Sequence, residues 1–249
     1  MKTSSFDITS YDQSRDPWYS PKEILDDFEL LRSVYGENIY KSEFKRAHEM
    51  FTAAVALLGT YELSSENVYW LQRNRQSDSP DVMAAQLINR VDNLIQLGVN
   101  QMEITEFESH FPSDDIVEFL TKVKLSKSYD SRTIIVCLIN REVPINPGQI
   151  RDQLVKIHPK FTIFIMGRLL EGEIGVFTIF SPYPRLTYPL QYNVNDVVKK
   201  YNLPSPLRLS RGMAKKVSFE KIQLESQDVN IYNIFGLDEK KIKAKYGKI

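Results

Sequence analysis

Apolar residues along the chain recur first at helical spacing and later at strand spacing. Ile24, Leu25, Phe28, Leu31 and Val34 form one helical stripe. Ser20-Pro21-Lys22-Glu23 opens it with a capping serine, a proline in the first turn and a glutamate three residues after the cap, and Gly36 closes it. Ser42 and the periodic Phe44, Ala47, Met50, Phe51, Ala54, Val55 and Leu58 predict a second helix, with Gly59 as its C-cap. Val68–Leu71 then has strand composition, and the polar stretch from Gln72 to Ser79 reads as a loop. Met102 to Phe107 alternates as a half-buried strand does. Asp114 starts a helix with Ile116, Val117, Phe119, Leu120 and Val123 inward. The unbroken apolar run Thr133–Ile139 calls for burial on both faces, as in a central parallel strand. Pro147-Gly148 precedes a short helix through Ile150, Leu154 and Ile157. Phe161–Met166 and Val176–Phe180 are further buried strands, with a hairpin turn at Gly172 to Gly175 between them.

Strand-helix-strand-helix-strand from residue 102 to 166 predicts an α/β fold, a mixed central sheet flanked by helices, with right-handed crossovers. Beyond Phe180, Pro182, Pro184, Pro189, Pro204 and Pro206 are interleaved with Tyr183, Tyr188, Tyr192 and Tyr201, which forbids long regular elements. This segment reads as a wrapping extension with a short helix from Asn195 to Tyr201. Its aromatic residues either cover an apolar surface or stack bases beside Arg185 and Arg208. The expected organisation is an N-terminal arm and helix over 1–41, an α/β core over 42–180, and a Pro/Tyr-rich basic extension over 181–249.

Composition narrows the picture. The 249 residues, 42% of them hydrophobic, suit one large domain or one domain with an appendage, able to bury a core without staples and too apolar to be disordered. The single cysteine, Cys137, excludes a disulfide framework and a cysteine-based zinc site, and fits a reducing compartment. No apolar run approaches the ~20 residues of a membrane span, and Met1–Ser10 lacks the basic and apolar regions of a secretory signal. The expectation is a soluble cytoplasmic protein with no membrane association. The balance of 32 Lys+Arg against 32 Asp+Glu hides an asymmetry: residues 199–249 carry twelve basic and five acidic residues. Lys215, Lys216, Lys240 and Lys241 are therefore candidate nucleic-acid contacts, although a solvated helix end has the same composition.

Candidate chemistry is reached by exclusion. The three histidines accompany no nucleophile elbow, and Cys137 lies mid-strand, where a small buried hydrophobe is expected. The glycines between 167 and 175 match neither phosphate-loop pattern, and there is no His-Glu-x-x-His. Carboxylates remain. Glu49 lies on the second helix, Ser79-Pro80-Asp81 follows the first strand, and Glu103-Ile104-Thr105 follows 22 residues later. A carboxylate on a buried strand face is costly unless partnered. Asp81 and Glu103 brought together would form a hard oxygen site suited to Mg²⁺, able to polarise a phosphodiester and activate a water. Each piece also has a plainer reading. Ser79-Pro80 followed by Val82, Ala85, Ile88, Val91 and Ile95 opens a helix equally well, with Asp81 complementing its dipole. Glu103 and Glu106 fit exposed positions of an edge strand, and Glu49 fits a solvated helix face.

In this order, over about residues 42 to 166, the chain resembles the PD-(D/E)XK nuclease superfamily, the restriction-endonuclease-like fold: a helix with a Glu, a strand, Pro80-Asp81, a strand bearing Glu103, then a helix and a central strand. The resemblance implies Asp81 and Glu103 as ligands of Mg²⁺ or Mn²⁺ and Glu49 as an accessory acid. Thr105 stands where the family has its lysine. Members that move this lysine to a neighbouring element direct attention to Lys122 or Lys124 on the next helix, and Lys122 is taken as the candidate alongside Glu49, Asp81 and Glu103. Gln101 is a further polar group on the same strand face. The implied protein is nucleic-acid-directed, either a metal-dependent phosphodiesterase or a member that has lost catalysis. The alternative is a non-enzymatic α/β interaction or assembly module, with a protein partner or a second copy of itself, no metal site, and its carboxylates at the surface.

Overall fold

Local signals set the first elements. In the computed structural model, which describes residues 17–74, 80–89, 95–129, 131–168, 175–201, 207–209, 219–221 and 230–247, helix α1 spans Pro21–Tyr35. The Ser20 hydroxyl accepts from the Glu23 amide, and Gly36 ends the helix at φ 53°. Two short 3₁₀ turns, Gly36–Tyr40 and Ser42–Phe44, lead into α2, Lys45–Leu63. This helix does not stop at Gly59 but continues to a cap at Ser64. The glycine serves packing: a Cβ there would lie 2.8 Å from Ile179 Cγ2 and from the Tyr192 ring. Every residue from Thr52 to Thr60 is buried, so α2 is an interior helix covered on all sides.

Seven strands form one sheet in sequence order: β1 Tyr69–Arg73, β2 Val82–Asn89, β3 Ile95–Glu108, β4 Thr133–Asn140, β5 Thr162–Arg168, β6 Val176–Tyr183 and β7 Leu190–Asn193. β3, β4 and β5 run parallel, and the other neighbours are antiparallel. The parallel pairs need crossovers. These are supplied by α3, Ile116–Leu120, which continues as a π turn over Thr121–Leu125, and by α4, Pro147–Ile157. Asp115, not Asp114, caps α3, while Asp114 pairs with Arg141. The expected central strand Thr133–Ile139 is β4, parallel to both neighbours. β1 runs on through Gln72 and Arg73. The reading of Ser79-Pro80-Asp81 as a helix start does not hold, because Val82 begins a strand whose register pairs it with Met102. The turn expected at 172–175 lies outside the described residues up to 174, and the strands it would join are antiparallel neighbours.

Helices cover both sheet faces. α1, α2 and the C-terminal helices α5 (Val194–Lys200), α6 (Ile231–Phe235) and α7 (Glu239–Tyr246) share one core with Met102, Ile104, Val136, Met166 and Ile179. α3 and α4 share the other with Phe107, Ile135, Cys137, Ile163 and Ile165. The architecture is thus α/β with a seven-stranded mixed open sheet between helices, plus a small ribbon of β8, Leu207–Leu209, and β9, Phe219–Lys221. The sheet passes residue 180, since β7 belongs to it. Tyr192 donates to the Val55 carbonyl at 2.8 Å and Tyr201 to the Tyr69 carbonyl at 2.8 Å, so both tyrosines seal apolar surface. Among the described residues no helix is long and apolar enough to cross a membrane.

Candidate acidic site at the junction of β2 and β3

Glu103 pairs with Ile135 of β4 and stands one residue past the end of the β2–β3 ladder, where Val82 meets Met102; at 2% exposed it is a buried position and not an exposed one. Asp81, the residue before β2, is clamped to β3 at two points. Its amide donates to the Met102 carbonyl at 3.1 Å, and its carboxylate accepts from the Ile104 amide at 2.8 Å. Those two bonds flank Glu103 in sequence and hold the two acids at one place on the sheet.

One ammonium reaches both. Lys124, only 8% exposed, donates to Glu103 Oε2 at 2.6 Å and lies 3.5 Å from Asp81 Oδ2. It stands on the π turn that prolongs α3, four residues after the buried Leu120, and so on the inward side. The Tyr129 hydroxyl donates to Glu103 Oε2 at 3.3 Å. Burial first, and then the Glu103 charge, push the Tyr129 pKa up, so its hydroxyl stays a donor.

Glu49 approaches from α2. It is half-buried and pairs with Lys45 at 3.2 Å, one helical turn earlier. Its pKa is raised, first by burial and then by the Asp81 charge, while Lys45 and Lys124 oppose the rise. The Lys45 pKa is raised chiefly by Glu49, with further contributions from Asp81 and Glu103. Glu49 therefore belongs to the acid cluster and not to a solvated face.

Lys122 does not reach these acids. Its ammonium pairs with Glu118 at 2.9 Å on the exposed side and lies over the Phe111 ring. Two positions along the same short segment, Lys124 takes the inward place. Lys240 and Lys241, on α7, are both exposed, and of the two Lys241 lines a cleft of about 340 Å³ with Asp81, Glu49, Lys45 and Arg46. Lys215 and Lys216 lie outside the described residues. Tyr129 and Lys45 were not singled out from the sequence. Lys45 carried a legible signal, its spacing of four from Glu49. Tyr129, in the loop after the π turn, carried none.

Among the described residues no three of His, Cys, Asp and Glu gather to hold a metal ion. The arrangement offers two carboxylates on a shared cation, with Glu49 nearby. Mg²⁺ is characteristically bound by one or two carboxylates and completed by waters and substrate phosphates, so these hard oxygen donors fit that ion. Comparison of the chain with family models, with curated proteins and with solved structures finds no match.

Proposed function

We propose that the chain is a metal-dependent phosphodiesterase acting on nucleic acid, with α2, β1–β3, α3 and β4 in a restriction-endonuclease-like arrangement. One observation carries the reading: acids from the start of β2 and from mid-β3 converge on one lysine ammonium, 2.6 Å from Glu103 and 3.5 Å from Asp81. Lys124 then occupies the role for which Thr105 has no charge. Asp81 and Glu103 would hold Mg²⁺ or Mn²⁺, which when bound supplies Lewis-acid polarisation of a phosphate and a more acidic water. Lys124, on a different element from either acid, orients the attacking water and offsets negative charge at the phosphate. Glu49, with its raised pKa, is placed to take a proton from that water, and Lys45 restrains its orientation. Lys241 and Lys240 would meet the phosphate backbone, and the buried Cys137 suits a cytoplasmic setting.

The test is calorimetric titration with Mg²⁺ and Mn²⁺ of the wild type, Asp81→Ala and Glu103→Ala, followed by a nuclease assay. Binding by the wild type and its loss in both variants is expected, together with metal-dependent cleavage that Lys124→Met abolishes. A wild type that binds neither ion overturns the proposal and leaves a non-enzymatic assembly module as the reading.

A further inference from the structure

The acid cluster lies where two depressions meet. One is the cleft beneath α7. The other is a groove of about 790 Å³ over the ends of β3, β4 and β5, walled by α1 and α2. Ser42, Lys45 and Glu49 line both, so the depressions share a wall beside Asp81 and Lys124. Each depression also holds cations away from the shared wall residues Ser42, Lys45 and Glu49: Arg46 and Lys241 line the cleft, and Lys127 and Arg168 line the groove.

The groove wall is aromatic. Phe51 stacks on Phe28 with centroids 4.4 Å apart, Phe28 meets the His48 ring edge-on at 5.2 Å, and His48 meets Tyr40 at 5.3 Å. The His48 Nε2–H donates to the Ile39 carbonyl at 2.8 Å, which fixes the ring. Burial lowers the His48 pKa, so the imidazole stays neutral and keeps its π face uncharged. Tyr40 ends this row and is 61% exposed, so one face of its ring is open to a stacking partner. Glu106 also lines the groove. Burial and the neighbouring Glu108 raise its pKa.

We infer that the groove takes unpaired nucleotides of a single strand, which stack on Tyr40 and His48 while the backbone passes from the cleft, over the acids, to Lys127 and Arg168. The inference rests on the nuclease reading and adds the form of its substrate. Bases inside a duplex have both faces covered by their neighbours and offer nothing to an exposed tyrosine, whereas every unpaired base has a free face. Charge supports the same occupant in the groove, whose lining holds six Lys and Arg against four Glu and carries aromatic rings among them, as a strand-binding channel does. Asp81 lines the cleft and Glu49 lines both depressions, so a scissile phosphate must enter them to reach these acids, which a flexible strand does more readily than a stiff duplex.

The test is fluorescence anisotropy of fluorescein-labelled oligo(dT), and of the same oligonucleotide annealed to oligo(dA). The full chain is used in Ca²⁺, a hard cation that takes oxygen ligands. Tighter binding of the single strand is expected, with a loss of at least about five-fold in Tyr40→Ala and near-normal binding in Tyr40→Phe, because one base–aromatic stack is worth roughly 1–3 kcal/mol. Tyr40 is exposed, so the variants should fold. Equal or tighter binding of the duplex, or unchanged binding by Tyr40→Ala, overturns the inference while leaving the nuclease reading standing. Failure of that reading shows itself separately, as absence of Mg²⁺ and Mn²⁺ binding in the calorimetric titration.

Discussion

Replacing Lys124 by methionine keeps the length of the side chain and removes its charge. What it leaves behind can be worked from the structure. Glu103 is 2% exposed and Lys124 8%, so water screens their 2.6 Å contact little. Breaking such a buried pair from one side typically costs about 3–5 kcal/mol, because the remaining charge has been taken out of water without compensation. Two contacts soften the loss here. Tyr129 still donates to Glu103, and the Ile104 amide still donates to Asp81. The expected destabilisation at neutral pH is therefore near the lower end, about 3 kcal/mol. Adding Glu103→Gln removes the stranded charge, so the double variant should recover roughly 2 kcal/mol of that loss.

Urea unfolding followed by circular dichroism measures both numbers, and repeating it with Mg²⁺ adds a third. If the acids are metal ligands, a cation can take the ammonium's place, and Lys124→Met should gain more stability from Mg²⁺ than the wild type does. Ligand at a hundred times its dissociation constant contributes about 2.7 kcal/mol. A loss below about 1 kcal/mol in the single variant, the level of an exposed pair, would show that the buried contact is not made. Failure of Glu103→Gln to recover stability would show that the two groups are not coupled. An equal response of both proteins to Mg²⁺ would refute the idea that lysine and metal share the acids.

Two further substitutions test the packing and the electrostatics of the scaffold. Gly59→Ala should destabilise by roughly 1–2 kcal/mol in thermal or urea unfolding although alanine is the better helix former, because its Cβ would sit 2.8 Å from Ile179 and Tyr192; a stabilised variant would refute the close approach of α2 to β6 and β7. Asp27, whose buried Oδ2 has no hydrogen-bond partner among the described residues, has its pKa raised to about 7 by burial, then by Glu23 and Asp26. The folded state thus holds a proton that the unfolded chain has released, and stability should fall as pH rises from about 4 through about 7. Asp27→Asn should match the wild type near pH 4 and exceed it at pH 8 by roughly 1–2 kcal/mol, the figure being discounted for partial exposure. Parallel stability curves across that range would overturn the assignment.

What could be read from the sequence divides by the range of the interaction that decides it. α1 was legible because its signals are local: Ser20 caps Glu23, and Gly36 takes φ 53°. β4 was legible because Thr133–Ile139 is apolar throughout, and both its neighbours are indeed parallel strands. Gly59 was misread as a cap, since the reason for a glycine there lies on β6 and β7, 120 and more residues away. Ser79-Pro80-Asp81 carries helix-start and strand-start signals in equal measure, and the decision comes from the Met102 carbonyl and Ile104 amide, contacts invisible to spacing. Lys122 and Lys124 were both in view. Which of them turns inward depends on Leu120 being buried and on the π turn that follows, a packing outcome that a five-residue helix does not announce. The acid pair itself was legible as chemistry, because a carboxylate between Met102 and Ile104 demands a partner.

If the lysine has moved from the strand to the π turn, it should be possible to move it back. Thr105 lies two residues beyond Glu103 on the same face of β3 and is half-buried, so a lysine there starts one strand repeat from the acid it must reach. In the wild type Lys124 already pairs with both acids, so Thr105→Lys alone should bring a second cation against the first and lower stability. Paired with Lys124→Ala, the new lysine gains both the room and the unpaired carboxylates. The double variant should therefore regain stability over Lys124→Ala and recover a measurable part of the metal-dependent cleavage that Lys124→Ala lacks. The two readouts separate structure from chemistry. Recovery of stability without cleavage would make Lys124 a neutralising strut for Asp81 and Glu103 and would refute its role beside the attacking water. Recovery of both would show that what the site requires is a cation beside its two acids, whichever element supplies it.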